Sequence, residues 1–148
     1  MPTTFKALYG TYGQSVTFSG LNSLANAASV FSSAIDNSTN LFVDILINGQ
    51  FTAASSSVSA TGTITILIAA SYDNNTNFTL RTQDCKVVAV LDCSANSAVP
   101  KLDNASVAAL YGGHCPQYFK IGVLNNSGTA LNSSGNAMTY QGINDQGV

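Results

Sequence analysis

The sequence predicts an all-β protein, an antiparallel sandwich or barrel of about eight short strands. Three observations indicate this class. Apolar and polar residues alternate with a period of two in most segments, which is the pattern of half-buried strands. Polar turns rich in Asn, Asp, Ser and Gly separate these segments. Charged residues make up only 8 % of the 148 residues, and Glu is absent, which excludes a charged helical bundle or coiled coil.

The N-terminal part contains an aromatic segment followed by a first alternating run. Residues 1–13 include Phe5, Tyr9 and Tyr12 and are interpreted as an extended N-terminal arm, although a first strand is equally compatible with them. Residues 14–19 alternate apolar and hydroxyl side chains and are predicted to be a strand.

The residue pattern predicts secondary structure only weakly in the next two segments and clearly in the one after them. Residues 21–28 are rich in Ala and fit a helix, a strand or a loop, whereas residues 29–35 indicate a weak strand. Residues 40–48 predict a strand with one apolar face formed by Leu41, Val43, Ile45 and Ile47.

The clearest strand covers residues 61–72. β-branched residues crowd this segment, which favours a pleated sheet over a helix. One face is predicted to consist of Ile64, Ile66, Ile68, Ala70 and Tyr72.

The second half of the chain continues the same pattern. Strands are predicted over 86–91, 118–124 and 136–142. Residues 103–111 fit a helix that starts at an Asp cap and stops at a Gly pair, but strand and loop remain open. The polar tail, residues 143–148, is expected to fray.

Length and charge set the broad class of the protein. No linker or repeat divides the chain, so residues 1–148 are expected to form a single β-sandwich domain. The net charge of −2 gives no basic stripe for phosphate, so no nucleic acid is expected as a partner. The first residues contain no secretory pattern, and no apolar run is long enough to cross a bilayer. We therefore expect synthesis in a cytoplasm and no membrane partner.

The chain contains an odd number of cysteines, namely Cys85, Cys93 and Cys115. In a chain without a secretory signal, this favours reduced thiols. A disulfide between Cys85 and Cys93 stays open, as does a contribution of His114 and Cys115 to a zinc site, although no CxxC spacing supports the metal.

Groups able to support catalysis are scarce. The single histidine, His114, precedes Cys115 in a turn-rich stretch, and adjacent residues on a strand point to opposite faces, so a Cys–His nucleophile is not expected. Asp44 lies inside an apolar strand and reads as a solvated or interface residue rather than half of a glycosidase pair. Residues 73–77 have one carboxylate and no closing Glu, unlike a calcium loop. We expect no enzyme activity, no catalytic, metal or cofactor site, and no cofactor.

Two longer stretches carry recognisable motifs. The first covers residues 23–44, with Ser-Leu-Ala and Asp-Asn-Ser-Thr-Asn-Leu-Phe-Val-Asp, and continues over 59–73 with Ser-Ala-Thr-Gly. The second covers 109–131, with Gly-Gly-His-Cys-Pro and Asn-Asn-Ser-Gly-Thr-Ala-Leu, and ends at 138–142 with Met-Thr-Tyr-Gln-Gly. Together they resemble the small capsid cement (decoration) proteins of tailed bacteriophages.

The sequence departs from the family pattern at two places. Phe119 and Lys120 stand where the pattern has Trp and Lys or Gly, and His114 and Cys115 precede Pro116. Neither departure bears on catalysis.

The resemblance implies a structural virion protein with a jelly-roll sandwich. It implies binding to the outside of the phage head across junctions between major capsid proteins, and no enzyme activity. The partners are then the major capsid protein and other copies of this chain, as a homodimer or homotrimer. The place of action is the outer capsid surface after synthesis in the host cytoplasm. Phe5, Tyr9 and Tyr12 are the first candidates for a capsid-contact arm, unless their rings only complete a first strand.

Two alternatives come from other functional classes. Polar loops with Tyr and Asn also suit a carbohydrate-binding jelly-roll module of a phage tail or fibre, although Trp is absent. A small hydrolase using His114 is the third hypothesis.

Overall fold

Two antiparallel sheets make up the fold in the computed structural model, which describes residues 5–73 and 77–147. The first sheet contains β1 (Phe5–Tyr9), β2 (Gln14–Ser15), β5 (Asp44–Gln50), β8 (Lys101–Ser106) and β10 (Ala137–Gly147). The second sheet contains β3 (Ala28–Phe31), β4 (Ile35–Asp36), β6 (Thr63–Ala70), β7 (Lys86–Asp92) and β9 (Tyr118–Asn126).

The strand order is that of a jelly roll. β1 and β2 both pair with β10, and β3 and β4 both pair with β9, so each pair is one interrupted strand. The first sheet then runs β1/β2–β10–β5–β8, and the second runs β3/β4–β9–β6–β7. The chain alternates between sheets except at the β6–β7 hairpin, which produces two interlocked Greek keys. The predicted jelly-roll-like sandwich is therefore confirmed.

The core lies between the two sheets. It is formed by every second residue of the central strands, as the predicted apolar–polar alternation requires. Alternate residues of β5, β6 and β9 have no solvent exposure, and they are Ile45, Ile47, Ile64, Ile66, Ile68, Phe119, Ile121 and Val123. β6 and β9 pair in continuous register from Thr63 opposite Asn126 to Ala70 opposite Phe119, which places their apolar faces on the same side. Burial of these faces is the main stabilising contribution to the fold.

Three residues that were predicted to continue the apolar faces of the strands in 40–48 and 61–72 are exposed instead: Leu41, Val43 and Tyr72. Leu41 and Val43 precede the first residue of β5, and Leu41 turns the chain with a φ of 52°. Tyr72 likewise follows the last residue of β6 and is exposed. Alternation holds only while the chain remains paired between the sheets, so these side chains leave the core.

Neither of the two windows for which a helix, a strand and a loop were all open forms an α-helix. Residues 21–28 form turns that lead into β3. Residues 103–106 belong to β8, in which Ala105 and Ser106 pair with β5, and a 3₁₀ turn follows at Ala108–Tyr111. That turn ends as predicted at Gly112, whose φ is 73°.

The two ends of the chain lie side by side. Residues 5–9 form a strand rather than a detached arm, because they pair with residues 143–147 of β10. The same pairing corrects the expectation of a frayed tail over 143–147. Residues 1–4 and Val148 lie outside the described residues.

Candidate functional site

Of the predicted contact residues, Tyr9 and Tyr12 lie on the outer face of the first sheet. Tyr9 stands opposite Ile143 in β10, and Ile143 stands opposite Asp44 in β5. Because Ile45, the next residue of β5, points into the core, this row points outward. Tyr9 is 59 % exposed, and the side chain of Phe5 falls outside the described part of the chain.

Tyr12 stands on the same face, nearer its centre. It precedes Gly13, whose φ of 71° forms the turn into β2, and its side chain is 73 % exposed. It borders a shallow cavity of about 280 Å³ whose other side chains include Asn48, Gln50 and Lys101. An exposed ring next to amide groups is suited to packing against a partner's surface.

A second depression lies where segments 37–43 and 113–117 meet. Main-chain hydrogen bonds hold these two segments together, from Asn37 N to Gln117 O at 2.8 Å and from Cys115 N to Val43 O at 3.3 Å. The cavity between them measures about 470 Å³, and its lining includes His114.

Asn37 fixes the shape of the loop that borders this cavity. Its buried side chain donates to the carbonyl of Phe42 at 2.9 Å and accepts from the amide of Phe42 at 2.8 Å. The ring of Phe42 covers the backbone at Gly142, where a Cβ atom would clash with it. Leu41 is consequently held at the surface, 68 % exposed.

His114 and Cys115 both line this cavity. Cys115 is partly buried, and burial together with the nearby Asp44 carboxylate raises the pKa of its thiol to about 12. The sulfur therefore remains protonated at neutral pH and is a poor nucleophile. His114 is exposed in the turn that follows Gly113.

Asp44 has a structural role. Its Oδ1 accepts from the amide of Ala108 at 2.9 Å, and its Oδ2 accepts from the hydroxyl of Ser106 at 2.7 Å. These bonds attach the 3₁₀ turn to the start of β5. A carboxylate engaged in this way anchors the turn to the strand.

The three thiols are all free. Cys93 has no exposure, whereas Cys85 and Cys115 are partly buried. Cys85 and Cys93 are therefore not joined, and within residues 5–73 and 77–147 no cluster of three His, Cys or acidic side chains could hold a metal ion.

Sequence reasoning missed several surface features. The apolar run 86–91 was read as a strand, but its exposed members Val87 and Val90 were not placed on an outer face. Their pairing with Leu67 and Thr65, which share the outward side of β6, sets that orientation. The two hydrogen bonds by which the buried Asn37 side chain holds the main chain of Phe42, here called the Asn37 clamp, were also missed. A polar turn gives no signal for which amide side chain points inward.

No protein-family model matches the chain, and no curated protein matches it. Among the described residues, no helix is long and apolar enough to cross a membrane. The resemblance to cement proteins thus stays a prediction about this chain.

Proposed function

We propose that this chain is a cement (decoration) protein that binds the outside of a bacteriophage head across junctions between major capsid proteins and stabilises the shell. The observation that carries the proposal is the pair of exposed tyrosines, Tyr9 and Tyr12, on the outer face of a β-sandwich with few charges. The sequence motifs support the capsid as the partner. Adhesion requires a stiff scaffold and exposed anchors, and no reacting group.

Among the described residues, other large apolar side chains also reach the surface, namely Leu8, Leu41, Val43, Tyr72, Leu80, Val87, Val90 and Val99. Val87 and Val90 lie in a strand of the second sheet and Tyr72 follows one, so these three lie away from the proposed contact. A protein–protein contact of standard size, about 1,600 Å², depends mostly on a few such anchors at its centre. Repetition over many equivalent sites on a shell adds avidity.

Resistance to internal pressure follows from where the protein would bind. A head filled with DNA pushes its subunits apart, and a protein seated across a seam must detach before the seam can open. Its binding free energy therefore adds to the cohesion of the shell.

Binding to heads that lack the protein tests the proposal. Purified chain at micromolar concentration should bind such heads to saturation with a fixed stoichiometry, and the decorated heads should break at a higher temperature. Heads that recruit none of the chain would contradict the proposal.

Substitution of the tyrosines tests the contact surface. Tyr12→Ala should weaken head binding by about tenfold or more, because exposed aromatic anchors dominate such contacts. Tyr72→Ala is the matched control, since Tyr72 has the same residue type and the same exposure of 73 %. Equal losses for both variants would reject the first-sheet face as the contact surface.

A carbohydrate-binding module is the second candidate, and the cavity beside Tyr12 favours it. An exposed ring next to Asn48 and Gln50 could stack on a sugar and bond its hydroxyls. A glycan array should then give a hit that Tyr12→Ala abolishes. An array without hits would reject this candidate.

A further inference from the structure

β1 forms an open edge of the first sheet. It pairs with β10 on one side, and the strand order puts no described strand on its other side. Four consecutive residues, Lys6 to Tyr9, are exposed. An exposed strand edge presents unpaired main-chain groups and is a template for another strand.

The hydrogen-bond pattern determines which residues are available. The amide of Gly10 donates to the carbonyl of Gly142 at 2.8 Å, and on the opposite side of β10 the amide of Val43 donates to Ile143 at 2.9 Å. Antiparallel ladders alternate between bonded and non-bonded pairs. Positions 6 and 8 therefore bond to β10, and positions 5, 7 and 9 direct their N–H and C=O groups outward.

This edge is complementary to itself. We propose that two copies of the chain pair β1 with β1 in antiparallel register about a two-fold axis at Ala7. Ala7 then stands opposite Ala7 of the second copy, and position 5 stands opposite Tyr9. Each outward N–H meets an outward C=O, so the groups available at both edges are matched.

The same register also satisfies the side chains. Ala7 lies at the axis, so the two edges meet there at a small side chain, which allows the strands to approach closely. Lys6 stands opposite Leu8 of the other copy, and no two lysines are directly opposed.

The other described edges are less suited to pairing. The pairing of β7 with β6 shifts register opposite Ile66 and Leu67 of β6. The pairing of β8 with β5 shifts register between Ile47 and Gly49 of β5. Such bulges disturb the ladder and protect an edge. At the edge formed by β3 and β4, Phe18 bridges to Ser32, which partly covers it.

The inference goes beyond the proposed function, because it assigns a specific strand edge to pairing between two copies of the chain. Main-chain groups of β1 would join the two copies, while Tyr9 and Tyr12 would remain on the outer face of the joined sheet for the shell. The dimer is tested in solution without heads, so dimer formation and head binding can fail separately.

Ala7→Pro is the decisive variant. Proline removes the outward N–H of residue 7 but no bond to β10, and edge strands accept it. By analytical ultracentrifugation, wild type should be dimeric at tens of micromolar, and Ala7→Pro should raise the dimer dissociation constant about tenfold or more. Ala7→Val, which keeps the N–H, should remain dimeric. The circular-dichroism spectra of the three proteins should be alike, which shows that the fold of each copy is kept.

A monomeric wild type, or an Ala7→Pro variant that is as dimeric as wild type, would overturn the inference. If Ala7→Pro fails to fold, cysteine cross-linking decides the question instead. Opposite residues in antiparallel strands lie about 4.5–5.5 Å apart between Cα atoms, within the span of a disulfide.

Cross-linking reads the register directly. Ala7→Cys should form a disulfide-linked dimer on mild oxidation. Lys6→Cys and Leu8→Cys should each form little alone but should link when mixed. The wild type, with its three native cysteines, is the control and should stay unlinked. Equal linkage at positions 6, 7 and 8 would reject the register.

Discussion

At the scale of single residues, Leu41 shows how one backbone angle decides what a side chain can do. Its φ of 52° costs a non-glycine residue about 1–2 kcal/mol, and the Asn37 clamp on Phe42 holds it there. The leucine points to solvent instead of continuing the buried face of β5. A surface apolar residue held in a strained conformation is available to a partner.

Ile66→Asp should unfold the protein. Ile66 has no exposure in the middle of β6, so the variant buries a charge that no neighbour compensates, at a cost of several kcal/mol. Urea denaturation followed by circular dichroism measures the change in the free energy of unfolding. Val90→Asp, at an exposed position of the neighbouring strand, is the control and should cost much less. An unchanged Ile66→Asp melting curve would mean that this face of β6 is not in the core.

The Cys115 thiol should make stability fall in alkaline solution. Its pKa rises from the usual 9.0 to about 12 on folding, so above pH 9 the unfolded chain loses a proton that the folded chain retains. The unfolded state is thereby favoured increasingly as pH rises from about 9 towards 12.

Urea titrations of wild type and Cys115→Ala at several pH values test this expectation. The variant should lose less stability than wild type between pH 8 and pH 10. Parallel slopes in the two proteins would show that the thiol does not titrate in this way.

At the scale of elements, β1 depends on its neighbour. Five residues form too short a strand to persist alone, and its described partner is the end of β10. Neighbouring residues of β1 differ in where their main-chain groups point. Those of Leu8 bond to β10, whereas those of Ala7 point to the open edge.

Leu8→Pro should therefore detach β1, whereas Ala7→Pro should leave it in place. Proline at residue 8 removes a bond to Asn144 of β10, because these residues form a bonded pair. Hydrogen exchange of the Asn144 amide should speed up strongly in Leu8→Pro and little in Ala7→Pro. The reverse order would mean that the ladder alternates in the opposite phase.

At the scale of the whole molecule, a jelly roll with few charges suits adhesion by shape and apolar contact. Both sheets bury their inner faces against each other, which leaves the outer faces and loops free to carry a contact surface. Charged residues are 8 % of the chain and the net charge is −2, so long-range attraction to a partner is weak.

Head binding should accordingly depend little on salt. Between 50 and 500 mM NaCl the dissociation constant should change by less than about threefold, because screening acts on charges and hardly on apolar burial. Binding isotherms at several salt concentrations measure this. A loss of tenfold or more would indicate that charge pairs govern the contact.

Several features of this fold could be predicted from the amino-acid sequence. The buried faces of β6 and β9 follow from an alternation of isoleucine, valine and phenylalanine with polar residues, and a period of two is a local property of the sequence. The exposed state of Tyr9 and Tyr12 fits their prediction as contact residues, but whether they touch a shell stays a prediction.

By itself, the sequence determined that the chain is built of strands joined by polar turns, because side-chain periodicity and turn residues act within a few positions; the pairing into two sheets made it a sandwich. The tertiary structure alone decided that β1 joins β10, that residues 103–106 belong to β8 instead of a helix, and that Leu41 faces solvent. These outcomes rest on contacts between segments distant in the chain. Such contacts override local propensity, because a main-chain group that finds a strand partner is satisfied there and no longer needs a helical one.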